Sequence, residues 1–93
     1  MKESSIEQYC TKEVQKLGGI CAKHVSPGRA GDPDRLIKLP GKPAAMLELK
    51  RPGEEPREDQ WERIFEWRAV GMLADYACTK WQIDQFLRKV LDQ

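Results

Sequence analysis

The stretch Asp34-Arg35-Leu36-Ile37-Lys38-Leu39, Pro40-Gly41-Lys42-Pro43, Ala44-Ala45-Met46-Leu47-Glu48-Leu49-Lys50 decides the fold. Two extended runs, Asp34 to Leu39 and Ala44 to Leu49, flank a segment rich in proline and glycine that suits a turn between antiparallel strands, so the stretch reads as a hairpin. Adjacent antiparallel strands lie about 5 Å apart, and the start of one lies beside the finish of the other. Asp34 and Glu48 can therefore meet. Glu48 and Lys50 are two apart on one strand and point to the same face, so three charged groups converge at one end of the hairpin.

Working outward, Ile6, Tyr9, Cys10, Val14 and Leu17 recur at helical steps and predict a helix from about Ser5 to Leu17, with Ser4 and Glu7 as a capping box and Gly18-Gly19 as its stop. Ile20 to Val25 reads as a short strand, and Ser26 to Gly31 holds too many breakers to be regular. Beyond the hairpin and a loop from Pro52 to Pro56, a helix from about Arg57 to Val70 presents Trp61, Ile64, Phe65 and Ala69 on one face and is closed by Gly71. Met72 to Cys78 is a strand candidate. Thr79 and Gln82 form a second capping pattern, opening a helix that buries Ile83, Phe86, Leu87, Val90 and Leu91. The order is αβββαβα, an α/β fold with a mixed sheet flanked by helices, expected as a single domain over residues 1–93.

Over the 93 residues, 16 basic and 15 acidic side chains leave a net charge of +1, so charge alone does not select a nucleic-acid binder. Its distribution does. From Lys16 to Arg51 the bases are Lys16, Lys23, Arg29, Arg35, Lys38, Lys42, Lys50 and Arg51, against the acids Asp32, Asp34 and Glu48. A polyanion drawn into this field meets carboxylates that repel it unless a cation lies between them; a solvated basic loop region is the plain alternative. Cys10, Cys21 and Cys78 are odd in number, widely spaced and preceded by no secretory leader, which points away from a disulfide framework and towards a soluble, cytoplasmic protein in a reducing compartment. No apolar run has the length of a membrane span. A zinc site from the cysteines and His24 is disfavoured, because strand alternation sends Cys21 and His24 to opposite faces, and the cysteines read as core filler. Trp61, Phe65 and Phe86 also read as core, whereas Trp67 and Trp81 lie off the apolar stripes.

Phosphodiester hydrolysis needs the charged set at the end of the hairpin. Attack by water on a phosphodiester requires a cation to neutralise developing charge, and hard Mg²⁺ prefers carboxylate, carbonyl and water oxygens. Asp34 and Glu48 supply carboxylates, the backbone carbonyl of Leu49 is a candidate third ligand, and Lys50 adds a compact positive charge for water or phosphate.

The segments Gly31-Asp32-Pro33-Asp34-Arg35-Leu36 and Leu47-Glu48-Leu49-Lys50-Arg51-Pro52-Gly53, followed by Gln60, resemble the virus-type replication-repair nuclease (VRR-NUC) domains of the PD-(D/E)xK superfamily, whose restriction-endonuclease-like core has this element order. The resemblance spans nearly the whole chain. It implies a Mg²⁺- or Mn²⁺-dependent endonuclease acting on DNA structures, with Asp34 and Glu48 as metal ligands and Lys50 as the catalytic lysine. It also matches Glu7 to the family's acidic position on the first helix and Gln60 to its glutamine after the Glu-x-Lys strand. Lys23 and Ser26 occupy family-like places, and with Arg29, Arg35 and Arg51 they are the candidate DNA contacts. Stand-alone members point to Holliday-junction resolution, so branched or four-way-junction DNA is the expected partner and a homodimer the expected assembly. Asp32 stands where the family pattern has an aliphatic residue, either adding charge near the metal or shaping the turn.

Two of these positions carry structural alternatives. Glu7 is accounted for by the capping box with Ser4, in which case Glu3 substitutes for it, and Gln60 fits a solvated helix surface as well as a site. Trp67 and Val70, projecting from the back of their helix, and Trp81, projecting from the next, are candidates for the interface between two copies. Two rival functions have different signatures. A branched-DNA-binding module that has lost catalysis has no reason to keep three clustered charges, and an assembly protein with a merely solvated charged face binds no divalent metal.

Overall fold

The computed structural model describes residues 3–93. The elements follow the expected order: α1 (Glu3–Lys16), β1 (Ile20–Lys23), β2 (Arg35–Lys38), β3 (Ala45–Leu49), α2 (Glu58–Ala69), β4 (Leu73–Ala77) and α3 (Lys80–Leu91). The strands form one sheet in the order β1-β2-β3-β4, antiparallel except for the β3–β4 pair, whose parallel alignment follows from the crossover through α2. Among the described residues, no helix is long and apolar enough to cross a membrane.

Strand alternation divides the apolar residues between two layers. Ile37, Leu39, Ala45, Leu47, Leu49 and Ala77 face α1 and α3, where they meet Ile6, Cys10 and Val14 of the first helix and Ile83, Phe86, Leu87 and Val90 of the last. Met46 and Ala74 face α2 and pack on Ile64, with Leu36, Trp61, Trp67 and Tyr76 around them. β3 is buried along its whole length because it lies inside the sheet with helices on both sides. The tight turn after α1 depends on Gly19, where a Cβ would lie 2.6 Å from the Lys38 carbonyl oxygen.

Several expectations are corrected. α1 begins at Glu3, so Ser4 lies inside the helix and is not its N-cap; the side chains of Glu3 and Ser4 are outside the described residues. The inward face of α2 is not Trp61-Ile64-Phe65-Ala69: Gln60 and Ile64 are buried, Trp61 and Trp67 half-buried, and Phe65 is 55% exposed. Leu91 is likewise 41% exposed, outside the α3 stripe. Trp67 does not project from the back of α2 but packs against the sheet, whereas Val70 and Trp81 are exposed as expected. The Thr79 cap is present, its Oγ1 accepting from the Gln82 N–H at 3.1 Å, while Gln82 Oε1 accepts from the N–H of Cys78, one residue before the cap.

Candidate active site

The hairpin register pairs Arg35 with Leu47 and Leu36 with Met46. One step further along it, Asp34 stands opposite Glu48, and the Leu49 N–H donates to Asp34 Oδ1 at 3.1 Å. Both carboxylates share the parity of Leu36 and Met46, so they open on the α2 side of the sheet. Lys50 lies 3.5 Å from Glu48 Oε2. From the first turn of α2, Gln60 Nε2 donates to the same Oε2 at 3.1 Å. Gln60 is itself fixed, because its Oε1 accepts from the Arg57 N–H at 2.9 Å and so satisfies one of the orphan donors at the helix start. A residue open to a surface reading is thus buried and joins the helix cap to the site.

Glu7 approaches from the opposite layer. Its Oε2 accepts from Arg35 Nη2 at 3.1 Å, and its charge is close enough to help raise the Asp34 pKa. Glu7 thus meets the site through Arg35 and through the field it exerts on Asp34.

His24 positions the Asp34 segment, a role with no local signal beyond a disfavoured zinc spacing. Its N–H donates to the Asp34 carbonyl at 2.8 Å, extending the β1–β2 ladder, and its Nδ1 lies 3.1 Å from the Pro33 carbonyl. Its ring and backbone together hold the segment that carries Asp34. Behind that segment, the Asp32 carboxylate is 3% exposed and accepts from Arg29 Nε at 3.0 Å and Trp67 Nε1 at 3.1 Å. Asp32 thus shapes the turn by tying it to α2. Gly31, at φ +90°, is required there because a Cβ would lie 3.0 Å from the Asp59 carbonyl oxygen.

Two of the candidate DNA contacts are paired within the protein: Arg35 is 6% exposed and paired with Glu7, and Arg29, on the surface, bridges Asp32 and Glu66. Lys23 is exposed near the site, Ser26 is half-buried with Oγ 3.5 Å from His24 Nε2, and Arg51 is exposed and pairs with Glu54.

Burial dominates the electrostatics. It pushes the Glu48 carboxyl up to about 7, with the Asp34 charge adding to the shift and Lys50 opposing it. Asp34 is raised too, chiefly by burial, against the stabilising Leu49 N–H. Two carboxylates held close in a partly desolvated site and repelling one another form a hard-oxygen donor set that a divalent cation would relieve. The Leu49 carbonyl fits the same set. The Lys50 N–H points to the Ala77 carbonyl of β4 at 3.0 Å, and a trans peptide turns the Leu49 C=O the other way, towards Asp34. Among the described residues, no group of three or more His, Cys, Asp or Glu side chains converges to hold a metal. Two carboxylates and a backbone carbonyl are donors of the kind an oxygen-coordinated ion that keeps several waters, such as Mg²⁺, takes.

The three helices aim their N-termini at this end of the sheet. α1 does so because Glu7 reaches Arg35, α2 because it follows β3 directly, and α3 because Lys80 lies over the Tyr9 ring of α1 at 5.2 Å. Each contributes partial positive charge where a polyanion would arrive.

A mixed sheet with Asp34 just before one strand and Glu-x-Lys at the end of its neighbour is the arrangement that the sequence resemblance implies, and comparison with known proteins agrees. A solved structure titled "VRR_NUC domain" superposes with a TM-score of 0.85, covering 92% of this chain and 94% of that one at 25% identity. The resemblance read from the sequence motifs therefore holds in three dimensions. No family model matches the chain. A curated relative, "Putative nuclease p44" of Acyrthosiphon pisum secondary endosymbiont phage 1, is 52% identical over 56 residues. That match takes in 60% of this chain and 60% of the phage protein.

Proposed function

We propose that this protein is a Mg²⁺- or Mn²⁺-dependent DNA endonuclease, acting on branched DNA and resolving four-way junctions as a homodimer. The observation that carries the activity is the convergence of Asp34, Glu48, Lys50 and Gln60 at one sheet end, with the two carboxylates face to face across the hairpin. The VRR-NUC fold and the nuclease named among its relatives support the same reading.

Asp34, Glu48 and the Leu49 carbonyl would hold the ion, which when bound neutralises phosphate charge and lowers the pKa of a coordinated water. Gln60 keeps the Glu48 carboxylate in one orientation, and His24 keeps Asp34 in register. The Lys50 ammonium, close to Glu48, is placed to orient the attacking water or to stabilise charge on the phosphate. Lys23 and Arg51 lie where the DNA backbone would approach, and the helix N-termini add attraction without sequence preference.

The rival in which the fold binds branched DNA but no longer cuts is disfavoured by the burial of Glu48. A buried carboxylate beside another costs stability, and a domain released from catalysis would be free to lose it. The deciding experiment incubates labelled duplex, splayed, flap and four-way-junction DNA with the protein and Mg²⁺ or Mn²⁺. Junction cleavage abolished by EDTA is expected; binding without cleavage under all conditions would favour the inactive module.

A further inference from the structure

Several cations near the site are already paired: Lys50 with Glu48, Arg35 with Glu7, and Arg29 with Asp32 and Glu66. Charge to hold a DNA backbone has to come from elsewhere as well. Lys12 of α1 and Lys80, which opens α3, are both exposed, and among the described residues neither lies within ion-pair distance of a carboxylate. They meet across a cleft of about 430 Å³ lined by Ser5, Gln8, Tyr9, Lys12 and Lys80, with no acid in its wall. The Lys80 ammonium lies 5.2 Å from the centre of the Tyr9 ring, which turns it towards α1. Of the acids near the cleft on the two helices, Asp84 accepts from the Tyr9 hydroxyl at 2.7 Å, Glu13 pairs with Lys16 at 2.8 Å, and Glu7 pairs with Arg35. The bond to Asp84 pushes the Tyr9 phenol up to about 12, so it stays neutral beside the lysines.

The cleft is continuous with the site. Gln8 and Lys12, one helical turn apart, form a ridge of α1 that also walls a second cleft on its other flank, and this one reaches Glu7 and Arg35. Arg35 follows Asp34 directly and stands opposite Lys23 of the edge strand β1. Lys23 has the parity of Cys21, which packs on the α1 side, so its side chain leaves the sheet on that face too. Positive charge therefore runs from Lys23 past Arg35 and over α1 to Lys12 and Lys80. From Ser5 to Lys12 the first cleft follows the helix for about 10 Å, the rise of about three nucleotides of one strand.

We infer that the cleft between α1 and α3 is a second DNA-backbone site, which holds the phosphates of another arm of a branched substrate while one arm is engaged for cutting. The inference rests on the DNA-cleaving reading of the site and names a contact that favours a branch over a straight duplex. Glu48, held by Gln60 of α2, opens on one side of the sheet, and the cleft lies on the outer surface of the helical layer on the other. A straight duplex seated at one of these surfaces leads away from the other, whereas two arms diverging from a branch can engage both. Lysine suits the role, because a compact charge on a flexible stem binds backbone phosphate without reading sequence.

The test reads binding apart from cleavage. Fluorescence anisotropy in EDTA, over a series of salt concentrations, follows a labelled four-way junction and a linear duplex of equal length with the unaltered protein, Lys12→Gln, Lys80→Gln and the double variant. Arg88→Gln, towards the other end of α3, is the control for a general loss of charge. Each lysine change should lower the salt slope of junction binding by about 1, and the double variant should weaken junction binding at least about tenfold, with a clearly smaller loss for the duplex. Arg88→Gln should bind the junction as the unaltered protein does. Junction binding by the folded double variant equal to that of the unaltered protein, an equal loss for duplex and junction, or a loss in Arg88→Gln as large as in either lysine variant would each overturn the assignment. Absence of cleavage in Mg²⁺ or Mn²⁺ with this binding pattern intact would count against the nuclease reading alone.

Discussion

Asp34, Glu48 and Lys50 are each held by contacts to their immediate neighbours, and their removal should therefore be felt in chemistry more than in folding. Asp34→Asn, Glu48→Gln and Lys50→Ala are each expected to lower single-turnover cleavage by about 10² to 10³ or more, with junction affinity largely kept, because affinity rests on many phosphate contacts. Near wild-type turnover in any one of them, with folding and metal content verified, would remove that residue from the site. The raised Glu48 pKa has a separate consequence for the metal-free protein. A carboxyl whose pKa is higher folded than unfolded holds its proton more tightly in the native state. Its penalty is therefore absent below the ordinary value of 4.5, grows as pH rises towards about 7, and is constant above. Asp34 acts in the same direction. Urea unfolding in EDTA should show stability declining across that window by on the order of 3 kcal/mol from Glu48. Glu48→Gln should flatten most of the decline; an unchanged slope in that variant would place the titration elsewhere.

At the scale of elements, the sequence made the order and the hairpin legible, because strand alternation, glycine stops and the Thr79 cap are local signals. It also placed Asp34, Glu48 and Lys50 together, since their meeting depends only on a hairpin and a period of two. What it missed is set by tertiary contacts. α2 turns its Gln60-Ile64-Trp67 side inward; Gln60 is legible through the family resemblance, but local pattern leaves it open between surface and site, and only its bond to Glu48 decides. The same rotation brings Trp67 to Asp32, a pairing across 35 residues that no local pattern contains. Arg35 reads as a basic-field residue but is buried because β2 parity turns it towards Glu7. The Asp32 contacts make a testable link between loop and helix. Asp32→Ala leaves the Trp67 N–H without its acceptor and should cost about 1 to 3 kcal/mol, read as a lower urea midpoint. The Thr79→Ala change, which removes only a helix cap, should cost about 1 kcal/mol. An Asp32→Ala midpoint equal to wild type would show that the loop does not need the tie.

For the whole molecule, the proposed activity raises a question of number, since one domain offers one site and a four-way junction has two strands to cut symmetrically. Paired incision in one encounter needs two copies about a two-fold axis, the commonest arrangement of soluble oligomers. The outer edge of β4 is poorly suited to joining them by strand addition. The Ala74 carbonyl is taken by Arg68 Nε at 2.7 Å, the Tyr76 N–H by Asp75 Oδ1 at 2.8 Å, and the Cys78 N–H by Gln82 Oε1 at 2.7 Å. Two copies would meet through side chains, and Val70 and Trp81, 77% and 69% exposed, are the large apolar groups from the expected interface that remain outside the core. Trp81 opens α3 at the site end of the sheet, so contact there would bring two sites near one junction. Sedimentation equilibrium at micromolar protein should give the mass of a dimer, and Trp81→Lys should shift it towards monomer without lowering thermal stability by more than about 1 kcal/mol, as expected for an exposed position. A monomer mass for the unaltered protein would end the dimer proposal. Mixing wild-type with Glu48→Gln subunits then tests the coupling of the two sites: heterodimers should nick one strand of a junction and release few resolved products, whereas independent monomers would still resolve it fully.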